Sequence, residues 1–356
     1  MSFTHLHVHT HYSILDGMSD IGALVKKCQK NGMNALAITD HGDMFGIKEF
    51  HDKCAKINDG KKPGDEGFFK PIFGVEAYVA RRKYTDQDST VKEINPINGK
   101  EIIIDASGYH LILLAKNQKG YDNLCKMISI AWVDGNYYRP RIDHDLLKEN
   151  HEGLICCSAC LGGEVSQLIL RDDVEGARKC ILWHKEVFGD DYYLEVQRHR
   201  TEKLRGDRNT YLKQVKVNEV IMKLAVETNT KVIATNDVHF VEEEHADAHE
   251  MLICLSTGRD IDDPNRMCYT KQEWLKSPDE MAAIFSDIPE ALENTQEIAD
   301  KVEVYDIDSD PIMPKFPIPA SFAAYSASFL IFPPTQQCPG TRVPGGIVCK
   351  IWVYVL

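Results

Sequence analysis

Apolar residues follow two rhythms along this chain. Short runs rich in Ile, Leu, Val and Ala at 3–9, 35–40, 70–80, 109–115, 153–159, 192–198 and 231–236 predict strands. Between them the apolar spacing lengthens to three and four, as in Ile21, Leu24, Val25 and Cys28. That spacing predicts helices over 19–31, 45–58, 118–132, 163–170, 173–188, 209–228 and 243–256. Repeated β-then-α units imply an α/β fold with a parallel sheet and helices outside it. About seven such units predict a closed or nearly closed barrel rather than an open sheet. Parallel barrels place chemistry at the carboxyl ends of their strands, where His9, His41, Cys160 and His239 fall.

The rhythm breaks in three places. Residues 81–108, with Arg81-Arg82-Lys83 and the turn-like Asn98-Gly99, read as a loop or small hairpin inserted between two strands. Residues 257–317 read as a small C-terminal helical annex to a barrel spanning 1–256, with capped segments at Ser277-Pro278-Asp279-Glu280 and Ser286-Asp287-Ile288-Pro289. From 318 to 356 the sequence changes character: beyond 321 its charged residues are Arg342 and Lys350, and it ends in Ile351-Trp352-Val353-Tyr354-Val355-Leu356. This stretch reads as a cloning scar, a frame change or an engineered truncation, and is expected to be disordered or sticky.

Composition narrows the setting. With 356 residues the chain can bury a barrel-sized core, and 43% hydrophobic and 27% charged residues are ordinary for a globular protein. The net charge of −13 argues against gripping duplex DNA by phosphate neutralisation alone, but not against a local site where bound ions supply positive charge. Eleven scattered cysteines, no secretory signal at Met1-Ser2-Phe3-Thr4 and no membrane-spanning apolar run lead us to expect free thiols in a reducing cytoplasm, without a membrane partner.

Metal-capable residues gather at the predicted strand ends. In Thr4-His5-Leu6-His7-Val8-His9-Thr10, strand alternation points His7 and His9 the same way, which makes half of a metal site. Thr235-Asn236-Asp237-Val238-His239 repeats the i, i+2 logic at the far end of the chain. Asp16, Asp40, His41, Glu76, His110 and Cys160 lie at the intervening strand ends or the loops after them. Imidazole, carboxylate and one thiolate suit Zn²⁺, Mn²⁺ or Fe²⁺ better than Mg²⁺. Such ions lower the pKa of bound water toward ~7, so no Ser or Cys nucleophile is needed for hydrolysis.

Taken together, His5-Leu6-His7-Val8-His9-Thr10 with Asp16-Gly17, Ala37-Ile38-Thr39-Asp40-His41-Gly42, Pro71-Ile72-Phe73-Gly74-Val75-Glu76-Ala77-Tyr78, Tyr138-Arg139-Pro140-Arg141-Ile142-Asp143 and Ala234-Thr235-Asn236-Asp237-Val238-His239 are specific. Over about 1–317 the chain resembles the PHP (polymerase and histidinol phosphatase) domain, in the version at the amino terminus of the bacterial DNA polymerase III alpha subunit. The resemblance implies a distorted (β/α)7 TIM-like barrel and a centre of two to three divalent ions. It implies that His7, His9, Glu76 and Asp237 share one ion, that a bridging Glu76 shares a second with His110 and Cys160, and that Asp16, His41 and His239 hold a third. It implies 3′→5′ proofreading at a DNA primer 3′ end, with Asp237, Glu76 and His41 in catalytic roles. It implies as partners the remaining domains of the polymerase subunit and the replicase complex. The palm carboxylates for polymerisation would lie beyond residue 317. Two other readings stay open: a catalytically silent metal-binding scaffold, and a free-standing phosphoesterase of the histidinol-phosphatase type, which the 257–317 annex disfavours. An amidohydrolase is more distant, because no bridging lysine on a middle strand is evident.

Other residues take plainer readings. His5 is expected to be a hydrogen-bonded core histidine and Asp40 to orient a neighbouring ligand. Cys156 and Cys157 are expected to be core thiols, since no second cysteine pair follows at zinc-finger spacing. His245 and His249 are expected on a solvated helical face with Glu242, Glu243, Glu244 and Asp247. Arg139 and Arg141, and the cluster of Arg198, Arg200, Lys203, Arg205 and Arg208, fit either contact with a strand backbone or ordinary surface charge.

Overall fold

The computed structural model describes residues 3–310. The tail from 318 onward, expected to be foreign or disordered, lies outside the described residues. The chain divides into two units, Met1–Ile307 and Asp308–Leu356; all that follows concerns the first.

Strands β1 (Ala35–Ile38), β2 (Lys70–Val79), β3 (Lys92–Ile94), β4 (Glu101–Ile103), β5 (Tyr109–Ala115), β6 (Asn136–Tyr137), β7 (Arg139–Ile142), β8 (Leu154–Cys157), β9 (Tyr192–Val196) and β10 (Lys231–Ala234) alternate with helices. These are α1 (Ile21–Lys30), α2 (Ile47–Ile57), α3 (Gln118–Val133), α4 (His144–Glu149), α5 (Glu164–Leu170), α6 (Val174–Phe188), α7 (Arg208–Thr228), α8 (Ala246–Thr257), α9 (Pro278–Ile284) and α10 (Glu290–Lys301). The main sheet runs β10-β9-β8-β5-β2-β7-β6, with β1 also paired to β2. β3 and β4 form the separate hairpin expected within 81–108. Sequence periodicity located most elements to within a few residues, but not the short β6, β7 and α4.

The expected parallel sheet needs correction. β5 runs antiparallel to both β2 and β8, while β1–β2, β2–β7, β8–β9 and β9–β10 are parallel. A parallel neighbour needs a long crossover, usually a helix. The link from β2 to β5 carries the β3–β4 hairpin instead of a helix, and β5 returns in the opposite direction.

Residues 3–9, expected to be a regular strand, form an extended segment bent at His7. His5 and Val8 accept hydrogen bonds from the backbones of Ala37 and Thr39 (2.9 and 2.8 Å). On the other side His9 N–H donates to Val238 (2.7 Å), and Val238 N–H donates to His7 (3.1 Å). This segment therefore lies between β1 and the chain leaving β10, the two remote parts of the curled sheet.

Strand alternation sorts the core into two layers. Leu6, Ala35, Ala37, Ile72, Ile112, Leu114, Ile155, Cys157, Tyr193 and Ile233 pack into one buried cluster on the sheet's inner face. Residues one step out of phase, among them Leu36, Phe73, Leu113, Cys156 and Leu194, pack outward with α1, α2, α3 and α6. Cys156 and Cys157 are thus core thiols, as expected. The annex begins with the expected capping box, Ser277 with Glu280. The second expected cap is absent: Pro289 precedes α10 and no side chain caps it.

A candidate metal centre

The inner parity that builds the small core also builds the site. Glu76 is two residues beyond Gly74 on β2, and its cross-strand partner on β5 is Ile112. His110, two residues from Ile112, therefore stands diagonal to Glu76 on the same face. Its Nδ1 lies 2.9 Å from Glu76 Oε1. Cys160, just past β8, brings Sγ to 3.6 Å from His110 Nδ1 and 3.8 Å from Glu76 Oε1. From the amino-terminal segment, His7 Nε2 reaches 3.2 Å from Glu76 Oε1 and 3.1 Å from Asp237 Oδ1. His9 Nε2 is likewise 3.1 Å from Asp237 Oδ1. His41 spans Glu76 (2.5 Å at Nδ1) and Asp16 (2.8 Å at Nε2), and His239 Nε2 lies 3.7 Å from Asp16. All nine residues singled out in the sequence thus meet in one place. Asp237 holds a left-handed backbone (φ 46°), a conformation that non-glycine residues adopt at some cost.

Buried polar atoms are normally hydrogen-bonded. Here His7 Nε2, His9 Nε2, His41 Nδ1, Glu76 Oε2 and Asp237 Oδ1 are buried with no hydrogen-bond partner, although they face one another. Nitrogen and oxygen ligands ~2.0–2.1 Å from a tetrahedral ion lie about 3.3 Å apart. The spacings of 3.1–3.2 Å among His7, Glu76 and Asp237 match that edge. The donor set therefore fits divalent metal ions.

Electrostatics agree. Burial pushes His7 down, but Asp237, Glu195 and Glu76 overcome it and hold the imidazole well above its ordinary range. Burial raises Asp237 and Glu76, yet the surrounding imidazoles hold both well below the carboxylate range. His9 goes the other way, pushed down to about 3 by burial and by His41 and His239. Burial, with Glu76 and Asp237, drives the Cys160 thiol well up, so that a thiolate there needs a cation beside it.

Several supporting residues were not legible in the sequence. Glu195, buried on β9, faces His7 Nδ1 at 2.6 Å and accepts from Gln197 and Thr235. An acid inside the apolar run Tyr192-Tyr193-Leu194-Glu195-Val196 was a signal available for it. Tyr269 donates its hydroxyl to Asp16 (2.8 Å) and lies 3.3 Å from His239 Nε2. Asp40 accepts from Thr10 N–H and from Ser13 Oγ, and Ser13 Oγ lies 3.2 Å from His9 Nδ1. Asp40 therefore orients His9 through Ser13, in the supporting role expected of it. His5 contacts the Lys276 carbonyl at 2.8 Å and is a buried core histidine.

Two expectations fail. His249 is not on a solvated face: it is buried, with Nε2 2.9 Å from the Asp16 carbonyl. Helix α8 packs that side inward, while Glu243, Glu244 and Asp247 face water and His245 is half-buried. Arg141 is neither surface charge nor a strand contact: it is fully buried and donates to the carbonyls of Gly135, Asp105, Tyr84 and Asp86, locking the 81–108 insertion to β7. Arg198 pairs with Asp287, and Arg205 with Asp262.

The family model for the PHP domain matches residues 5–199, more than half of the chain. The chain belongs to the PHP domain family. Among curated relatives it is 42% identical over 322 residues to the DNA polymerase III subunit alpha of Borreliella burgdorferi, covering 90% of this chain and 25% of the relative. It is 40% identical over 332 residues to that of Helicobacter pylori (90% and 24%) and 38% identical over 330 residues to that of Treponema pallidum (91% and 25%). The chain spans about a quarter of the length of these relatives. Among the described residues no helix is long and apolar enough to cross a membrane.

Proposed function

We propose that this PHP domain is a metal-dependent phosphodiesterase that removes nucleotides from DNA 3′ ends, working as the amino-terminal proofreading part of a bacterial replicative polymerase subunit in the cytoplasm. The observation that carries this reading is the convergence of nine ligand-capable side chains with five buried donor atoms left unpartnered. In this reading His7, His9, Glu76 and Asp237 hold one ion, Glu76, His110 and Cys160 a second, and Asp16, His41 and His239 a third, with Zn²⁺, Mn²⁺ or Fe²⁺ as the metals. Bound there, such ions would bring the pKa of water toward ~7 and offset charge building on phosphoryl oxygens.

The chain's own residues would prepare the site. Glu195 holds His7 by Nδ1, so that Nε2 is the nitrogen aimed inward. Ser13 does the same for His9. Tyr269 fixes Asp16 from the side away from His41. Asp237, His41, Asp16 and His110 keep partly exposed side chains, and a substrate phosphate would enter from that side. Asp237, Glu76 and His41 are the residues on which turnover depends. The same reading closes the sheet through residues 5–9 into a distorted seven-stranded barrel over 1–256, with 257–317 leading toward the polymerase palm. The domains making up the rest of the relatives' length, and the replicase complex, would be its partners.

The test pairs metal analysis of the purified chain with degradation of a 3′-labelled single-stranded primer by wild type and Asp237→Asn. The reading expects two to three bound ions and loss of degradation in the variant. Equal degradation by both proteins overturns it. Bound metal with no degradation by either would leave a scaffold.

A further inference from the structure

The turn after His41 carries an exposed aromatic rim that the centre itself does not use. Trp132, in the last turn of α3, donates its indole N–H to the carbonyl of Gly42 at 2.9 Å, one residue from His41. The ring of Phe45 lies 5.6 Å from that indole, tilted by 40°. Gly42 (φ +65°) is wedged so tightly that a Cβ would meet Pro140 at 2.8 Å and the Tyr78 ring at 3.0 Å. The β6–β7 hairpin is thereby clasped against the same turn. At its tip Tyr138 takes φ +61°, which bulky residues seldom adopt, and is 74% exposed. Phe45 and Trp132 are 54% and 41% exposed. Arg139 places its guanidinium over the Tyr78 ring (5.4 Å), and that ring in turn stacks on His41.

We propose that Phe45, Trp132 and Tyr138, with Arg139, form a stacking platform for the unpaired bases of a single strand whose 3′ end enters the metal centre. The proposal rests on the phosphodiesterase reading for what the centre does with that end. Three observations favour unpaired bases over other occupants. The platform is tied to the centre: Trp132 bonds the carbonyl of Gly42, next to His41, and Arg139 lies over the Tyr78 ring that stacks on His41. Its chemistry is aromatic faces with one guanidinium, which grips bases by stacking and tolerates any sequence. And a chain of net charge −13 is poorly suited to holding a duplex by its phosphates, whereas stacking needs no broad basic surface.

The probe is a short fluorescein-labelled oligothymidylate with phosphorothioate linkages at its 3′ end, titrated with the 356-residue chain in Mn²⁺ and followed by anisotropy. Phe45→Ala and Tyr138→Gly are the variants; the glycine also suits the left-handed backbone, so the fold is expected to hold. Each is expected to weaken binding about tenfold, the scale of one lost base–aromatic stack. Hydrolysis of bis(p-nitrophenyl) phosphate, too small to span centre and rim, is expected to stay unchanged. Wild-type binding that survives in the double variant overturns the proposal and leaves the rim as a protein-docking face. No measurable binding by the wild type also overturns it. If the wild type hydrolyses nothing, yet the variants still lose the oligonucleotide, the phosphodiesterase reading fails and the platform stands.

Discussion

Two clusters of ionisable side chains, which come within four residues of each other in sequence at Cys160 and Glu164, behave in opposite ways. The central one, around Glu76, crowds imidazoles and carboxylates together and leaves five buried donor atoms without partners. The peripheral one joins α4, α5 and α6 outside the sheet. There His144 Nε2 pairs with Glu164 at 3.0 Å, His184 Nδ1 donates to the Cys180 carbonyl at 2.9 Å, and the His184 ring lies flat on Tyr192 at 4.9 Å. Of its fully buried side-chain nitrogen and oxygen atoms only the Tyr192 hydroxyl lacks a hydrogen-bond partner among the described residues. Both contain His, Glu and Cys, so residue type does not separate them. Multiplicity does: Glu164 meets the single imidazole of His144, whereas Glu76 is approached by His7, His41 and His110 within 3.2 Å with buried valences left over, an arrangement that suits a cation.

The sharpest way to break this contrast is to remove a converging ligand. Asp237→Asn keeps the shape but takes away the charge that His7 and His9 face at 3.1 Å. Phosphodiester hydrolysis is expected to fall by more than about a hundredfold, beyond the range for outer partners of a metal site. Glu164→Gln in the peripheral cluster should leave the same assay unchanged. Equal losses in the two variants would erase the distinction.

A smaller effect is expected one step out. Glu195→Gln retains a hydrogen-bonding side chain beside His7 Nδ1 but removes the carboxylate that lifts that imidazole. Metal affinity, measured by competition with a chromogenic chelator, should drop about 10- to 100-fold. An unchanged affinity would mean that Glu195 only fills space.

Metal should also show in stability. A ligand that binds only the folded state adds about 2.7 kcal/mol at a hundred times its dissociation constant. Chelation should therefore lower the unfolding midpoint of the wild type markedly, and that of Asp237→Asn less. A midpoint indifferent to chelator in the wild type would contradict binding at the central cluster.

How much of this contrast the sequence carried depends on range. His7 with His9, and Asp237 with His239, are pairs at i, i+2, and local alternation exposes them. The apolar runs likewise placed β2, β5 and β9 nearly residue for residue. The supports of the centre were not local. Tyr269 and His249 reach Asp16 across more than 230 residues, and no spacing rule connects them. The reversal of β5 was hidden for a related reason: strand periodicity is blind to direction, and only the missing crossover helix betrays it. Arg141 read as either a contact for a strand backbone or surface charge because its compensation is four backbone carbonyls, which leave no mark in a sequence.

The faintest effect belongs to the peripheral pair, and its sign can be worked out. Burial lowers His144, but the Glu164 hydrogen bond overcomes it and leaves the imidazole above its ordinary 6.5. Burial raises Glu164, but the hydrogen bond to His144 overcomes it and leaves the carboxyl below its ordinary 4.5. A raised imidazole contributes stability that is full below 6.5 and lost as pH rises through the folded value. A lowered carboxyl contributes stability that is present above 4.5 and lost as pH falls through its folded value. The difference in unfolding free energy between wild type and Glu164→Gln should therefore be largest between about 4.5 and 6.5 and shrink on both sides. Because His144 is more than a third exposed, solvent screens the pair and holds the maximum to about 1 kcal/mol or less. Urea unfolding of both proteins across that range measures it, and titration of the central cluster cancels in the difference. A difference that instead grows steadily with pH up to 8 would mean that Glu164 acts on some group other than His144, and that the peripheral cluster is not the self-satisfied pair to which the centre has been contrasted.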